Sequence, residues 1–232
     1  MKKALMLPLF AAALLASACE EDSTGLENQA RIRFVNAITG VTGNVGFTAS
    51  GNFITGSSVA FGSGSSTCAT LDAAAAVPLA FGTVNTLGTG LSGAALTTST
   101  QNLAGSGNFT AYAAGTATAP SLFFLSNSFS GTLNSNQASV RFVNLVPTAT
   151  TANLDVFAGT STTPTVSDLT FGTANTYGIV TSGANTFTIR NAAGANVLTN
   201  SSVTLTSGTV NTVAIVPTAA GGYQLVNVTS CP

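Results

Sequence analysis

Short runs of alternating apolar and polar residues recur along this chain of 232 residues. In its second half an apolar residue falls at every other position, as in Val140 with Phe142 and Leu154 with Val156. A period of two is typical of half-buried strands, and glycine and proline separate the runs at the spacing of a β-sandwich. No segment after residue 18 has a helical stripe. The pattern predicts an all-β protein.

Two phrases occur twice, which indicates a tandem duplication. The sequence RFVN at 33–36 returns at 141–144, and LAFGTVNT at 79–86 returns as LTFGTANT at 169–176. The chain is long enough for two domains of ordinary size. We therefore expect two tandem immunoglobulin-like β-sandwiches.

The domain bounds follow from where the pattern starts and breaks. Repeat 1 is expected over residues 30–133 and repeat 2 over 138–229. The first phrase recurs after 108 residues and the second after 90, so repeat 1 should carry about 18 extra residues. We expect this insertion in a glycine- and serine-rich loop near 51–76.

The N-terminus has the layout of a secretory signal. Two lysines precede an apolar run, and small residues lead into Cys19, which predicts a signal peptide over residues 1–18. The segment LLASAC at 14–19 resembles the bacterial lipobox, which implies that Cys19 carries the lipid. Residues 19–29 would then form an acidic, polar tether. The same small residues satisfy an ordinary cleavage site, so plain secretion stays open.

The composition argues against catalysis. Only 6% of the residues are charged and none is histidine, and both lysines lie in the leader. Catalytic sets that need histidine or lysine are therefore excluded from the mature chain. Without residues 1–18, four arginines face seven acidic residues, which leaves no basic patch for nucleic acid. We predict a protein that is not an enzyme and has no catalytic residues, cofactor or metal.

Three weaker patterns each have a structural interpretation. Asp155 and Asp168 could meet across strands, but turn carboxylates are the favoured interpretation. Residues 88–93 match G-x-G-x-x-G without a helix to follow, which favours a turn over a nucleotide site. Arg33 and Arg141 occupy equivalent places and could bind an anion, although a strand-edge or domain-interface role is favoured.

Two cysteines remain once Cys19 is assigned to the lipid. Cys68 and Cys231 form an even pair in an oxidising compartment, so a disulfide between them is possible, and it would join the two repeats. Two free thiols are the alternative, because the sequence does not give the distance between the residues.

The repeats also resemble a known family. The segments ARIRFVN at 30–36 and ASVRFVN at 138–144, the strand NLDVF at 153–157 and the Phe-Gly-Thr turns resemble the bacterial domain of unknown function 4397. The resemblance covers nearly all of residues 30–229. It implies an envelope or secreted β-sandwich, often a lipoprotein, with no established activity.

The expected function follows from the anchor and the missing acid–base groups. We expect a non-catalytic, lipid-anchored protein of the cell envelope, held at the outer membrane and exposed at the surface. It would serve as a structural or adhesion-type interaction module with a protein or glycan partner. The alternative is a secreted or surface carbohydrate-binding module, which would need exposed aromatic residues among Tyr112, Tyr177 and Tyr223.

Overall fold

The computed structural model describes residues 28–147 and 153–232, and every regular element within them is a β-strand. No helix in this part of the chain is long and apolar enough to cross a membrane. The prediction of an all-β, sandwich-type protein is confirmed. The strands of repeat 1 are β1 (Gln29–Asn36), β2 (Val45–Ala49), β3 (Asn52–Phe53), β4 (Ser63–Gly64), β5 (Ala69–Asp72), β6 (Ala74–Thr83), β7 (Thr97–Leu103), β8 (Asn108–Thr116) and β9 (Ala119–Ser126).

Repeat 2 follows after a ten-residue connection, residues 127–136. Its strands are β10 (Gln137–Asn144), β11 (Asn153–Ala158), β12 (Val166–Thr170), β13 (Gly178–Thr181), β14 (Gly183–Asn191), β15 (Asn196–Leu205), β16 (Val210–Pro217) and β17 (Tyr223–Thr229).

Each repeat consists of two sheets. The outer sheets have the orders β3-β2-β6-β7 and β12-β11-β14-β15. The sheets that we call facing sheets have the orders β4-β1-β8-β9, with β5 also pairing with β1, and β13-β10-β16-β17. In each facing sheet the first strand runs parallel to a late strand, β1 to β8 and β10 to β16. The first strand of each repeat is thus hydrogen-bonded to the second-to-last strand of the same repeat.

Each repeat has its own core between its two sheets. In repeat 1 the rings of Phe34 and Phe47 lie 4.7 Å apart, and those of Phe47 and Phe81 lie 5.8 Å apart. In repeat 2 the rings of Phe142 and Phe187 meet edge to face at 4.9 Å. Side chains alternate between the two faces of a strand, so these residues occupy one face of their strands and leave the other free for different contacts.

The other face of the two facing sheets forms a third core, which the two repeats share. All nine of its buried residues are at most 4% exposed. We call it the shared core: Val35, Ala37, Tyr112 and Ala114 from repeat 1 with Val143, Leu145, Ala214, Val216 and Val228 from repeat 2. The facing sheets are thus buried on both sides, and the sandwiches form one four-layered body.

The hydrogen bonds show which turns of the two repeats are equivalent. The N–H of Gly62 donates to the carbonyl of Asn36 at 2.8 Å, and that of Gly172 donates to the carbonyl of Asn144 at 2.7 Å. The side chain of Asn36 binds the carbonyl of Val59, and that of Asn144 binds the carbonyl of Leu169. The counterpart of 169–176 is therefore 59–66, and not the segment 79–86 that the repeated phrase suggests.

The expected insertion near residues 51–76 is consequently wrong. Asn36 and Gly62 are 26 residues apart and Asn144 and Gly172 are 28 apart, so repeat 1 is not longer there. Its extra residues lie in the loop 84–96 between β6 and β7, where repeat 2 has only residues 192–195. The phrase misled because its glycines differ: Gly172 has a φ of 78° in a turn, whereas Gly82 lies within β6 without positive φ.

The two turns also show the symmetry of the contact. The turn of repeat 1 lies on β17, where the side chain of Gln224 donates to the carbonyl of Gly62 at 3.1 Å. The turn of repeat 2 lies on β9, where the rings of Phe171 and Phe123 meet at 5.0 Å. Each repeat thus places its turn on the last strand of the other, as the subunits of a two-fold dimer do.

Candidate functional site

The predicted lipid site lies outside the part of the chain that the structure describes. Cys19 and nearly all of the tether precede Asn28, the first described residue. The signal peptide and the anchor therefore stay predictions from the sequence.

The other two cysteines are joined in the structure. Cys68 lies between β4 and β5, Cys231 follows β17, and their Cα atoms are 6.0 Å apart. The side chain of Asn108 donates to the carbonyl of Cys231 at 3.2 Å. The end of repeat 2 is therefore attached to repeat 1 by a covalent bond and a hydrogen bond, in addition to the shared core.

The two aspartates lie on paired strands, where Asp155 binds the backbone of Asp168 and Asp168 binds the side chain of Asn153. The N–H of Asp168 donates to Oδ1 of Asp155 at 2.9 Å, and Oδ1 of Asp168 accepts from the side chain of Asn153 at 3.3 Å. Asp168 is exposed and has a φ of 54°. These hydrogen bonds stabilise the irregular pairing of β11 with β12, which is a structural role.

The glycine-rich segment 88–93 lies in the long loop between β6 and β7. Asn85 organises it, because its side chain accepts from the N–H of Thr89 at 3.1 Å and its carbonyl accepts from the N–H of Gly88 at 3.0 Å. Strand β7 follows this loop. A phosphate site of this type needs the N-terminus of a helix after the glycines, which this arrangement does not supply.

Residues 28–147 and 153–232 contain no group of three His, Cys, Asp or Glu side chains placed to hold a metal ion. The polar groups that do converge lie between the repeats, around the two equivalent arginines.

Arg141 is buried in this contact and is held there by side-chain hydrogen bonds and an aromatic ring. Its Nε donates to the hydroxyl of Thr212 at 3.0 Å, and an Nη donates to Oδ1 of Asn127 at 2.9 Å. Asn127 in turn donates to the hydroxyl of Thr110 at 2.9 Å. The guanidinium also lies 4.5 Å from the centre of the Tyr177 ring. The favoured domain-interface role describes Arg141 well, although β10 is a central strand and not an edge.

Tyr112 and Tyr177 both lie at this contact, Tyr112 fully buried and Tyr177 half-buried. Tyr112 is fully buried, its hydroxyl makes no hydrogen bond of normal geometry, and burial raises its pKa to about 12. The Tyr177 ring is covered by Arg141 and meets the ring of Phe129 at 5.9 Å. Tyr223 packs against the core of repeat 2. Of the three tyrosines, only Tyr112 is fully closed to a ligand, whereas Tyr177 and Tyr223 are half-buried.

Arg33, the equivalent of Arg141, has a different environment. It is half-buried, and its Nη1 donates to the carbonyls of Ser65 and Ser66 at 2.9 and 3.0 Å. Its Nε is shielded from solvent and has no hydrogen-bond partner among the residues that the structure describes. Burial lowers the pKa of the guanidinium. The charge of Arg33 is therefore held at the edge of the contact without the side-chain partners that Arg141 has.

Arg33 lines an open cleft of about 600 Å³ between the repeats. We call it the interrepeat cleft. Its walls come from the start of β8, the connection after β9, the start of β16 and the C-terminal segment. The connection contributes Asn127 and the ring of Phe129, and the C-terminal segment contributes Ser230 and Cys231. The volume lies within the range of small-ligand sites, roughly 300–1,000 Å³.

A comparison with models of protein families found no match for the chain, and a comparison with curated proteins found no relative. The resemblance to the domain of unknown function 4397 stays a prediction. Only the contacts of this chain's own residues therefore bear on its function.

Sequence reasoning missed most residues of the cleft. Asn127 and Phe129 belong to the connection between the repeats, and Ser230 to the C-terminal segment, none of which carries a periodic pattern. One signal did point there, since Arg33 and Arg141 recur at equivalent places in a chain with very few charges. The recurrence of an arginine at the same strand position in both repeats is therefore the sequence signal for this region.

Proposed function

We propose that the protein is a non-catalytic, lipid-anchored component of the bacterial cell envelope, exposed at the surface as a rigid interaction module. The observation that carries this proposal is the disulfide between Cys68 and Cys231, which joins the two repeats. Structural disulfides belong to exported proteins, because the cytosol keeps thiols reduced. The disulfide therefore supports the export that the leader predicts.

The shared core supports the rigidity of the module. Two domains that meet through few contacts move relative to each other, whereas a large apolar contact fixes them. Here nine residues that are at most 4% exposed lie between the sandwiches, beside a covalent bond. A body of this kind suits a protein that holds a binding surface at a fixed distance from a membrane. The resemblance to family 4397 agrees with this role.

The anchor is tested by growing cells with labelled palmitate. We expect the wild type to carry the label and Cys19→Ala to lose it. Cys68→Ala is the matched control, because it removes a cysteine that the proposal assigns to a disulfide, and it should keep the label. An unlabelled wild type would reject the anchor and favour the secreted alternative.

Exposure at the surface needs a probe that does not depend on lysine or on proteolysis, since both lysines lie in the leader and a compact sandwich resists proteases. An epitope inserted beside Leu87, which is 81% exposed in the loop 84–96, fills this need. We expect intact cells to bind the antibody. Binding only after the outer membrane is permeabilised would place the module on the inner side and overturn the surface assignment.

A further inference from the structure

We propose that the interrepeat cleft binds an acidic saccharide, with Arg33 contacting the carboxylate of a uronic acid residue and Phe129 packing against the sugar ring. This inference deepens the proposed function, because it rests on the interaction role and names a ligand class. It does not depend on the anchor.

Two arginines lie at the cleft and at a hollow beside it. Arg33 lines the cleft, and Arg31 lines a hollow of about 210 Å³ that shares residues with it. Among residues 28–147 and 153–232, no Asp or Glu side chain lines either of them. Pro232 lines both. Since the chain has only four arginines after the leader, two of them in these adjoining hollows concentrate its positive charge there.

Two buried polar groups at the cleft lack hydrogen-bond partners among the described residues. The Nε of Arg33 and the hydroxyl of Ser230 both belong to cleft-lining residues, and neither has a hydrogen-bond partner. A buried donor without a partner is destabilising, so such groups call for an explanation. Because Nη1 of Arg33 is held by two backbone carbonyls, the edge formed by Nε and Nη2 is the one left for a carboxylate. In the proposed complex the side chain turns so that this edge faces the cleft.

The walls of the cleft combine polar side chains with one aromatic ring. The cleft is lined by the polar side chains of Asn108, Ser128, Thr209 and Thr229 and by the ring of Phe129. The hydroxyls of Thr209 and Thr229 already donate within the protein, so toward a ligand they serve as acceptors. A pyranose presents both hydroxyl groups and an apolar face of C–H bonds, which match amides and an aromatic ring respectively. A bare inorganic anion would use the arginine but would leave the ring and the hydroxyl acceptors without a partner. The combination favours a charged sugar.

The experiment measures binding of trigalacturonate to the purified full-length protein by calorimetry. The methyl-esterified trimer is the matched probe, because it keeps the ring and removes the charge. We expect the acid to bind and the ester to bind at least tenfold more weakly. We also expect affinity for the acid to fall as salt increases, since a partly exposed ion pair is screened.

Variants locate the site. Arg33→Gln should weaken binding of the acid at least tenfold, and Phe129→Ala should weaken binding of both trimers. Arg190→Gln is the matched control, since Arg190 lies on β14 in an outer sheet, where it covers the ring of Phe157. It should leave affinity unchanged. A cooperative thermal transition within a few degrees of that of the wild type would show that each variant is folded.

Several results would overturn the inference: no binding of the acid, equal binding of the ester, or full affinity in Arg33→Gln. None of these would bear on the palmitate label, so failure of the ligand assignment and failure of the anchor remain distinguishable.

Discussion

Arg33 and Arg141 occupy the same position in the first strand of their repeats, yet only one of them is satisfied by protein. Arg141 is 8% exposed and donates to Thr212 and Asn127. Arg33 is half-buried, and its Nε has no partner. The residue that pairs with Arg33 across the strands is Thr110, whose hydroxyl accepts from Asn127 instead. One duplicated arginine thus holds the repeats together, while the other faces a cleft.

The difference shows how a duplication can divide its roles. Two copies that meet face to face begin with equivalent residues on both sides, but one side chain such as Asn127 can serve only one of them. Asn127 links Arg141 to Thr110 and thereby leaves Arg33 without a side-chain acceptor. The shared core fixes the geometry in which this division exists, so the predictions begin there.

The largest effect is expected for Val143→Asp in the shared core. Val143 is fully buried, and an unpaired charge there should lower the free energy of unfolding by about 4 kcal/mol or more. Ile179→Asp is the matched control, because Ile179 lies on β13 of the same facing sheet and is 48% exposed. It should change stability by less than about 0.5 kcal/mol. Urea titrations of both variants measure the difference, and equal midpoints would show that the shared core contributes little.

Removing the disulfide should have the next largest effect. The double variant Cys68→Ser with Cys231→Ser frees a loop of 163 residues in the unfolded chain, which should cost about 3–5 kcal/mol. Reduction of the wild type should lower its urea midpoint to nearly the same value. A loss below about 1 kcal/mol would mean that the disulfide does not constrain the unfolded chain as the loop length implies.

The two arginines should differ in what they contribute to stability. Arg141→Gln leaves Asn127 and Thr212 without their charged partner inside the contact, and we expect a loss of about 3 kcal/mol. Arg33→Gln removes two exposed-edge contacts to backbone carbonyls and should cost less than about 1 kcal/mol. Thermal unfolding of the two variants side by side tests this. Equal losses would refute the division of roles.

These predictions use features that the sequence indicated only in part. The alternation of Val140 with Phe142 predicted strands with one buried face, and the recurrence of RFVN located equivalent strands in the two repeats. The cysteine pair was recognised as a possible link, and the structure joins it.

The shared core was not predicted, because alternation was interpreted as a sign that one face meets solvent. A signal was present: residues 213–216, Val-Ala-Ile-Val, are apolar without interruption, which is typical of strands buried on both faces. The cleft could not be predicted from periodicity, since Phe129 and Ser230 reach it from segments without regular structure. Their positions depend on how the repeats pack, which the local sequence does not specify.

The smallest expected effect concerns Tyr112 and alkaline pH. Its pKa is raised to about 12 in the folded protein by burial, against about 10 in the unfolded chain, so the folded state binds the phenolic proton more tightly. The resulting stabilisation is complete below pH 10 and is lost as the pH rises from 10 to 12, by up to about 2 kcal/mol. Tyr112→Phe should remove this loss and change stability little at pH 7, because the hydroxyl has no hydrogen bond of normal geometry. Unfolding at pH 7 and pH 11 tests it, and parallel losses in both proteins would contradict the assignment.

The most direct test of the central claim, that two repeats form one body through a shared core, is scanning calorimetry of the double variant lacking Cys68 and Cys231. In this variant only non-covalent contacts join the folded repeats beyond their connection. We predict one transition whose calorimetric enthalpy equals its van't Hoff enthalpy, as expected for a single cooperative unit. Two separate transitions, one of them unaffected by Val143→Asp, would show two independent sandwiches and contradict the account.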